Sequence, residues 1–438
     1  MTFRLSEEGA TLLQEWLKTA TKDATTGIPG VEVCVVNRQG QNIFQAAHGR
    51  VGASNDAGLL QTNSIFWLAS ASKLVLSIAC MQLVEKALLS LDDADQVEQL
   101  CPRLKDVHVV QRSADGSLSF EDKKGRITLR MLMNHTAGFG YKSYSPEIRD
   151  WVALNSTHAG DFSQPLVAHP GTAWNYGFNN EWVSLMIEAA SGERMEAYVK
   201  KHISEPLGLK DISLFPNGNM KARLAQLSRR SLQNGRLEER PHFIQAVLDL
   251  NTADERERAF QNAAGGFFSS PADYCAIIAT LLNGGASPVT GARILQPSTV
   301  DAMFENQIPE FPNFARQGIP AAVPDETYPI AELYPAQPHH LPQGWGLSFM
   351  LTLQPTVEGR GPGTGSWAGM ANCYWWADRI KGVGGFIGTQ ILPFAGSSSI
   401  DTNEPAVRSL TSPNSSDPVV ISLCRDIESI VYANQASD

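Results

Sequence analysis

Ser70 and Lys73 are the pair of residues in this sequence best suited to chemistry. They are three residues apart in the segment Trp67-Leu68-Ala69-Ser70-Ala71-Ser72-Lys73-Leu74, where an apolar run passes into a helical pattern. Residues three apart share one face of a helix, so the serine hydroxyl and the lysine amine can touch. A serine becomes a good nucleophile when a base takes its proton, and a lysine kept neutral by burial is such a base. The pair indicates nucleophilic catalysis; the alternative is a helix start with serine caps and a solvated lysine.

Tyr176 is a second candidate. It lies in the segment Trp174-Asn175-Tyr176-Gly177-Phe178-Asn179-Asn180-Glu181-Trp182, a Gly- and Asn-containing loop just before a predicted helix. Close to cationic groups the pKa of a tyrosine can fall enough for the hydroxyl to act as a base. The alternative is an amphipathic aromatic side chain that fills the helix boundary.

The segment Gly365-Ser366-Trp367-Ala368-Gly369-Met370 precedes a strand-like run. Small residues on an edge strand let a ligand lie close to backbone N–H groups, which can donate to a developing oxyanion. The alternative is a plain turn between strands.

His135 invites a serine–histidine pair, which we do not adopt. It stands in Leu132-Met133-Asn134-His135-Thr136-Ala137-Gly138, directly before a glycine that ends a short helix. A histidine there can satisfy terminal helix carbonyls, so we predict a structural role.

The composition is that of a globular protein with a large core. The chain has 438 residues, 43% hydrophobic and 18% charged, which suggests two or three domains or one large domain with an insertion. A formal net charge of −10 argues against nucleic acid or an anionic membrane as partners. The N-terminal residues lack the apolar segment of a secretory signal and no run is long enough to span a bilayer, so we expect a cytoplasmic protein.

The six cysteines are widely spaced, without a C-x-x-C or a zinc-type spacing, and we read them as buried free thiols. We find no G-x-G-x-x-G, P-loop, H-E-x-x-H or G-x-S-x-G pattern. We therefore predict no metal and no cofactor.

Strand-like runs lie at both ends of the chain and helical patterns in the middle. Residues 6–22 read as a helix, 31–36 and 42–47 as a hairpin, 271–282 and 419–433 as later helices, and 372–378 and 383–392 as strands. This pattern predicts a discontinuous α/β sheet domain from residues 1–75 and 258–438. A mainly helical domain over 76–257 interrupts it, with the active site between the two.

The Pro-rich stretch 308–343 has no clear periodicity and is either a lid or a mobile surface loop. If it is a lid, four aromatic residues would supply apolar walls: Phe311, Phe314, Tyr328 and Tyr334.

The order of these segments resembles the class C β-lactamase-like serine hydrolases, which include family VIII carboxylesterases. The matching segments are LASASK, ITLRMLMNHTAGFGY, AAGGFFSSPADYCAIIATLLNGG and GSWAGMANCYWWADRIKGVGGFIGTQILPF. Within that family, WNYGFNNEW and WWADRIKGVGGFIGTQILP are similar to the lovastatin-type acyltransferases of fungal polyketide pathways and their hydrolase relatives. The resemblance implies an α/β (α+β) fold of the β-lactamase/transpeptidase type, with an antiparallel sheet flanked by helices plus a helical domain.

The resemblance also implies roles for individual residues. Ser70 would attack the acyl carbon, and Lys73 and Tyr176 would share the acid–base work. The backbone N–H groups of Ser70 and Met370 would form the oxyanion hole. The acyl-Ser70 intermediate would then pass its acyl group to water, an alcohol or an amine.

Two departures from the family pattern bear on the substrate. Phe178 stands where the family's Y-x-N has asparagine, and Trp367-Ala368-Gly369 stands where β-lactamases have K-T-G. The K-T-G lysine helps to bind the β-lactam carboxylate, so its absence favours neutral, more apolar acyl groups. We predict substrate contacts for Trp367, Ala368, Gly369, Phe178 and Tyr141.

These observations leave three candidate functions. The first is a serine hydrolase or esterase acting through acyl-Ser70, and the second is an acyltransferase that moves an acyl group onto a natural-product acceptor. The third is an inactive β-lactamase-like binding protein, which Phe178 alone favours. The expected partner is a small-molecule acyl substrate. An acyl thioester is a candidate donor, and an alcohol is a candidate acceptor.

Overall fold

A seven-stranded antiparallel sheet forms the centre of the computed structural model, with the strand order β10-β11-β12-β13-β14-β1-β2. The structure describes residues 2–25, 27–155, 162–231, 233–315, 321–327, 333–334, 338, 340–394 and 418–436. The strands are β1 Gly30–Asn37, β2 Asn42–Gly49, β3 Phe66–Trp67, β4 His108–Arg112, β5 Leu118–Asp122, β6 Ile212–Ser213, β7 Ser228–Arg230, β8 Leu237–Glu239, β9 Phe268–Ser269, β10 Gly344–Trp345, β11 Met350–Thr352, β12 Thr364–Gly369, β13 Cys373–Asp378, β14 Val383–Gly388 and β15 Ile391–Leu392.

The helices surround this sheet and fill the segment between β2 and β10. They are α1 Glu7–Ala20, α2 Lys73–Glu85, α3 Ala94–Leu100, α4 Leu129–Met133, α5 Pro146–Asn155, α6 Asn180–Ser191, α7 Met195–Val199, α8 Glu205–Leu207, α9 Gly218–Ala222, α10 Gln245–Leu248, α11 Ala253–Arg258, α12 Pro271–Leu282, α13 Pro297–Met303 and α14 Pro418–Ala433. Short 3-10 turns span Ala69–Ser72 and Pro102–Leu104, and a π-helical turn spans Lys200–Ser204.

The hairpin β1–β2 shows why the sheet is buried on both faces. All eight residues of β1 are buried. Alternate residues enter different cores: Val33 and Val35 pack with α1 and α14, whereas Cys34 and Val36 pack on the side of α2 and α12. A continuous apolar strand of this kind is stable because helices cover both faces.

Several predicted elements are confirmed with small changes of boundary. The helix over 271–282 has the expected bounds, the helix expected after the Tyr176 loop is α6, and the hairpin turns at Gly40, which has a φ of +76°. The run over 383–392 is two strands, β14 and β15, because β15 leaves the main sheet and pairs with β7. The division into domains at residues 75 and 257 stays a prediction.

The six cysteines are buried and free, as predicted. Within the described ranges, no helix combines the length and apolar character needed to cross a membrane.

Candidate active site

Ser70 lies at a sharp connection between β3 and α2. Ala69 has a φ of +44°, a conformation that costs free energy in a residue other than glycine. The turn is held from outside: the backbone N–H of Phe267 donates to the Ser72 hydroxyl at 3.1 Å, and the Tyr274 hydroxyl donates to the carbonyl of Ala71 at 2.8 Å. Ser70 therefore sits in a 3-10 turn, one turn before the α-helix that Lys73 begins.

Lys73 is buried directly beside the serine. Its side chain is 1% exposed, and its Nζ donates to Ser70 Oγ at 3.2 Å and to the carbonyl of Ala264 at 3.0 Å. Burial lowers the pKa of Lys73 to about 8, while the negative charge of Glu181 acts in the opposite direction. A substantial neutral fraction near neutral pH makes this amine a suitable base for the Ser70 proton.

Tyr176 approaches the same serine. Its hydroxyl accepts a hydrogen bond from Trp367 Nε1 at 3.1 Å, Lys73 Nζ lies 5.2 Å from its ring centroid, and Tyr176 and Ser70 line the same cavity. Burial raises the pKa of Tyr176, and the polar groups of Ser70 and Trp367 only partly oppose that rise. The expected lowering is therefore wrong for the free protein, because the desolvation of the phenolate outweighs the groups that favour it. Tyr176 is a neutral hydroxyl here.

Strand β12 brings the predicted oxyanion segment to the nucleophile. Gly369 packs so closely on the backbone before Ser70 that a Cβ at this position would lie 2.2 Å from the carbonyl oxygen of Leu68. Ser70, Trp367, Ala368 and Met370 line one cavity. The structure thus brings together the two residues whose N–H groups were predicted to form the oxyanion hole.

The cavity is narrow and mostly apolar, with a volume of about 20 Å³. None of the side chains that line it in the described part of the chain carries a charge. Besides the residues above, its walls are Tyr144, Trp174, Tyr176, Leu333 and Phe394.

The Pro-rich stretch takes part in these walls. Leu333 lines the cavity, and Phe314 packs behind it with its ring centroid 4.8 Å from that of Trp174. Phe311 is partly buried in the same cluster, whereas Tyr334 packs elsewhere, against Tyr374. Tyr328 lies outside the described residues.

Of the five predicted substrate contacts, Trp367 and Ala368 line the cavity, whereas Gly369, Phe178 and Tyr141 do not. Phe178 is 4% exposed and packs in the main core, with its ring centroid 5.2 Å from that of Phe162. Burial in the core stabilises the apolar ring of Phe178. The side chain of the neighbouring Asn179 forms the polar contact with His135 instead. Tyr141 lies behind Lys73, where its hydroxyl donates to Glu181 at 2.7 Å.

His135 supports the site without touching Ser70. The ring is buried, Nδ1 lies 3.0 Å from Asn179 Nδ2, and the ring centroid is 4.7 Å from that of Tyr176. Burial lowers the pKa of His135 well below its usual range, so the ring is neutral. The buried ring fits the predicted structural role. The prediction that His135 satisfies the terminal helix carbonyls is wrong, because the backbone N–H groups of Thr136 and Ala137 donate to the carbonyl of Met131.

Sequence reasoning missed Glu181 and most of the cavity walls. Glu181 is the second residue of α6. An acidic residue in a first helical turn ordinarily complements the helix dipole, so no local pattern indicated that Glu181 lies near Lys73. Trp174, Tyr144, Leu333 and Phe394 come from four separate segments, and their meeting depends on tertiary packing.

Comparison with known proteins identifies the family. A family profile described as Beta-lactamase matches residues 17–403. The chain belongs to the β-lactamase family.

Several relatives of the chain are named as esterases or acyltransferases. The lovastatin esterase of Penicillium rubens is 28% identical, over 85% of this chain and 91% of its own length. A monacolin J acid methylbutanoyltransferase of Aspergillus terreus is 28% identical, over 88% of this chain and 90% of its own length. The solved structure of a simvastatin synthase mutant (LovD6) from Aspergillus terreus superposes with a TM-score of 0.76 at 25% identity, covering 98% of this chain and 95% of that one.

These findings confirm the resemblance read from the sequence motifs, the β-lactamase/transpeptidase-like fold and the prediction of an enzyme that processes acyl groups. Esterases and acyltransferases both occur among the relatives, so hydrolysis and transfer are both fitting reactions for this fold.

Proposed function

We propose that this β-lactamase-family enzyme carries neutral acyl groups on Ser70 and releases them to water or to an alcohol. The observation that carries the proposal is the contact between Lys73 Nζ and Ser70 Oγ at 3.2 Å, with Tyr176 lining the same cavity as the serine. Nucleophile and base are within the reach that proton transfer requires.

In the acylation step, the proton of the Ser70 hydroxyl passes to the neutral amine of Lys73 while Oγ bonds to the acyl carbon. The carbonyl oxygen becomes an oxyanion, which the N–H groups of Ser70 and Met370 would stabilise. The bond to the leaving oxygen or sulfur then breaks as Tyr176 gives that atom its hydroxyl proton, and the Lys73 ammonium passes its added proton to Tyr176, so both side chains return to their neutral forms. Water or an alcohol reverses the sequence and frees Ser70.

The uncharged cavity supports the choice of substrate. A substrate carboxylate there would lose its hydration without gaining a cationic partner, at a cost of several kcal/mol. The Trp367 N–H that replaces a lysine is already bonded to Tyr176. We therefore propose a neutral, apolar acyl group delivered as an ester or thioester.

Acyl transfer to an alcohol is a second proposal supported by a specific observation. The space beside Ser70 is walled mainly by aromatic and aliphatic side chains and, among the described residues, by no charged one, a lining that suits an apolar alcohol better than water. The name of the methylbutanoyltransferase relative is consistent with such a reaction.

The test is intact-protein mass spectrometry with p-nitrophenyl butyrate and with a butyryl thioester. We expect one added acyl group on the wild-type chain, none on Ser70→Ala, and normal loading of the control Ser117→Ala, an exposed serine. Adding 1-butanol should shorten the life of the acyl-enzyme and yield butyl butyrate. Loading of Ser70→Ala, or no loading of the wild type by either donor, would overturn the proposal and favour a binding protein.

A further inference from the structure

Glu181 is a buried acid that the proposed reaction does not use. Its side chain is 3% exposed. Oε1 accepts a hydrogen bond from the Tyr141 hydroxyl at 2.7 Å, and Oε2, also buried, has no hydrogen-bond partner among the described residues. A buried carboxylate oxygen without a partner is costly while it carries charge and much less so once the group is protonated.

Tyr141 connects this acid to the catalytic base. Lys73 Nζ donates to the Tyr141 hydroxyl at 3.4 Å, and that hydroxyl donates onward to Glu181. With the Lys73–Ser70 contact at 3.2 Å, the hydrogen bonds form a continuous chain from the nucleophile to the buried carboxyl group.

The ionic form of this pair is not strongly preferred. Two buried charges lose their hydration, and their mutual attraction repays that loss only when further hydrogen bonds satisfy both groups. Burial raises the pKa of Glu181 and lowers that of Lys73 to about 8, so the charged pair and the neutral pair approach each other in free energy.

We propose that Tyr141 relays a proton from Lys73 to Glu181 and so prepares Lys73 to take the proton of Ser70. In this step one N–H bond of the Lys73 ammonium breaks as the Tyr141 oxygen takes that proton. The former hydroxyl proton of Tyr141 moves to Glu181 Oε1. A neutral amine, an unchanged tyrosine and a carboxylic acid result, and no proton enters or leaves the site.

The other titratable groups facing the pair do not compete for this proton. Tyr176 and Tyr144 are neutral because burial raises the pKa of both hydroxyls. His135 stays neutral because burial and the charge of Lys73 lower the pKa of its ring. Glu181 is thus a positioning residue that acts on Ser70 only through Tyr141 and Lys73.

The relay makes a prediction that a simple counter-ion does not. With the relay, the enzyme is active while the Lys73–Glu181 pair shares one proton, and the Tyr141 hydroxyl is needed to move that proton. Glu181 raises the pKa of Lys73 in either case, so its neutralisation alone moves the acid limb of the pH profile to lower pH. The deciding change is therefore the removal of the Tyr141 hydroxyl, with and without Glu181 in place.

The experiment rests on the proposed function and compares kcat/KM for p-nitrophenyl butyrate at pH 6.5 and pH 9. In Tyr141→Phe we expect the ratio of the rate at pH 6.5 to that at pH 9 to fall about tenfold, because a lysine with a pKa of about 8 is mostly protonated at pH 6.5 and mostly neutral at pH 9. Glu181→Gln removes the proton acceptor and lowers the pKa of Lys73, so its ratio should rise, and adding Tyr141→Phe to Glu181→Gln should not change that ratio further. Tyr198→Phe, which removes another buried hydroxyl outside the site, should leave the wild-type ratio unchanged.

An unchanged or increased ratio in Tyr141→Phe overturns the relay, as does an equal fall in the ratio when Tyr141→Phe is added to Glu181→Gln. If Glu181→Gln does not fold, Tyr141→Phe decides alone, since it removes only one oxygen. Retained loading of Ser70→Ala would instead refute the proposed function, so the two failures are distinguishable.

Discussion

Gly369→Ala tests whether the end of β12 must lie against the turn that carries Ser70. A methyl group there would be 2.2 Å from the Leu68 carbonyl oxygen, and Cβ contacts under 3.0 Å essentially do not occur. The neighbouring atom is backbone, so the strand must retreat by the difference, about 0.8 Å. A misplacement of about 1 Å can cost about 10²-fold in rate. Because Met370 moves with the strand, we expect kcat to fall by about that factor with KM changed much less.

The assay is steady-state hydrolysis of p-nitrophenyl butyrate, with a thermal melt on each variant. Gly58→Ala is the matched control, because a Cβ at Gly58 meets no atom within 4 Å and the φ angle there is not in the left-handed region. A folded Gly369→Ala enzyme with kcat within threefold of wild type would refute the reasoning, since it would show that the N–H of Met370 does not need this position.

Two further predictions follow from single buried groups. Burial raises the pKa of Glu32 to about 8 from 4.5. The folded protein therefore holds a proton that the unfolded chain releases, and stability is lost as pH rises between those values. In urea unfolding, the free energy of unfolding of Glu32→Gln should match that of wild type near pH 4. At pH 9 it should exceed that of wild type by at most about 5 kcal/mol, at about 1.36 kcal/mol per pKa unit. A difference that does not depend on pH would contradict this. Nitrocefin should be hydrolysed at least about 10²-fold more slowly than p-nitrophenyl butyrate, because its carboxylate would be unpaired beside Trp367; comparable kcat/KM values would count against an uncharged acyl pocket.

Helices and strands could be predicted from the sequence where capping residues and the pattern of buried residues indicate the same element. In α12, Ser270 caps the first turn, Pro271 starts the helix and an apolar stretch follows, so its bounds could be predicted from the sequence. By contrast, β15 could not be separated from β14, because its partner β7 is more than 150 positions away in the chain and pairing at that distance leaves no local pattern.

The catalytic candidates were found through residue spacing and family motifs, whereas their electrostatics required the structure. The S-x-x-K spacing places Lys73 next to Ser70, but its burial depends on Ala264 and Tyr141, which come from other segments. The direction of the pKa shift of Tyr176 was predicted wrongly for the same reason: sequence suggests which charges are nearby and gives no measure of desolvation.

Trp367 joins substrate selection to acid–base chemistry. Where β-lactamases have a lysine, this residue removes a cation that would attract a carboxylate, and its indole N–H donates to the Tyr176 hydroxyl at 3.1 Å. That bond uses a lone pair of Tyr176 and leaves its proton free to point at Ser70 or at a leaving group. Because a lysine here would place a second cation beside Tyr176 and favour its phenolate, the indole also keeps the hydroxyl protonated. We therefore propose that the same side chain favours neutral acyl groups and keeps Tyr176 as the proton donor of the acylation step, with Lys73 as its base.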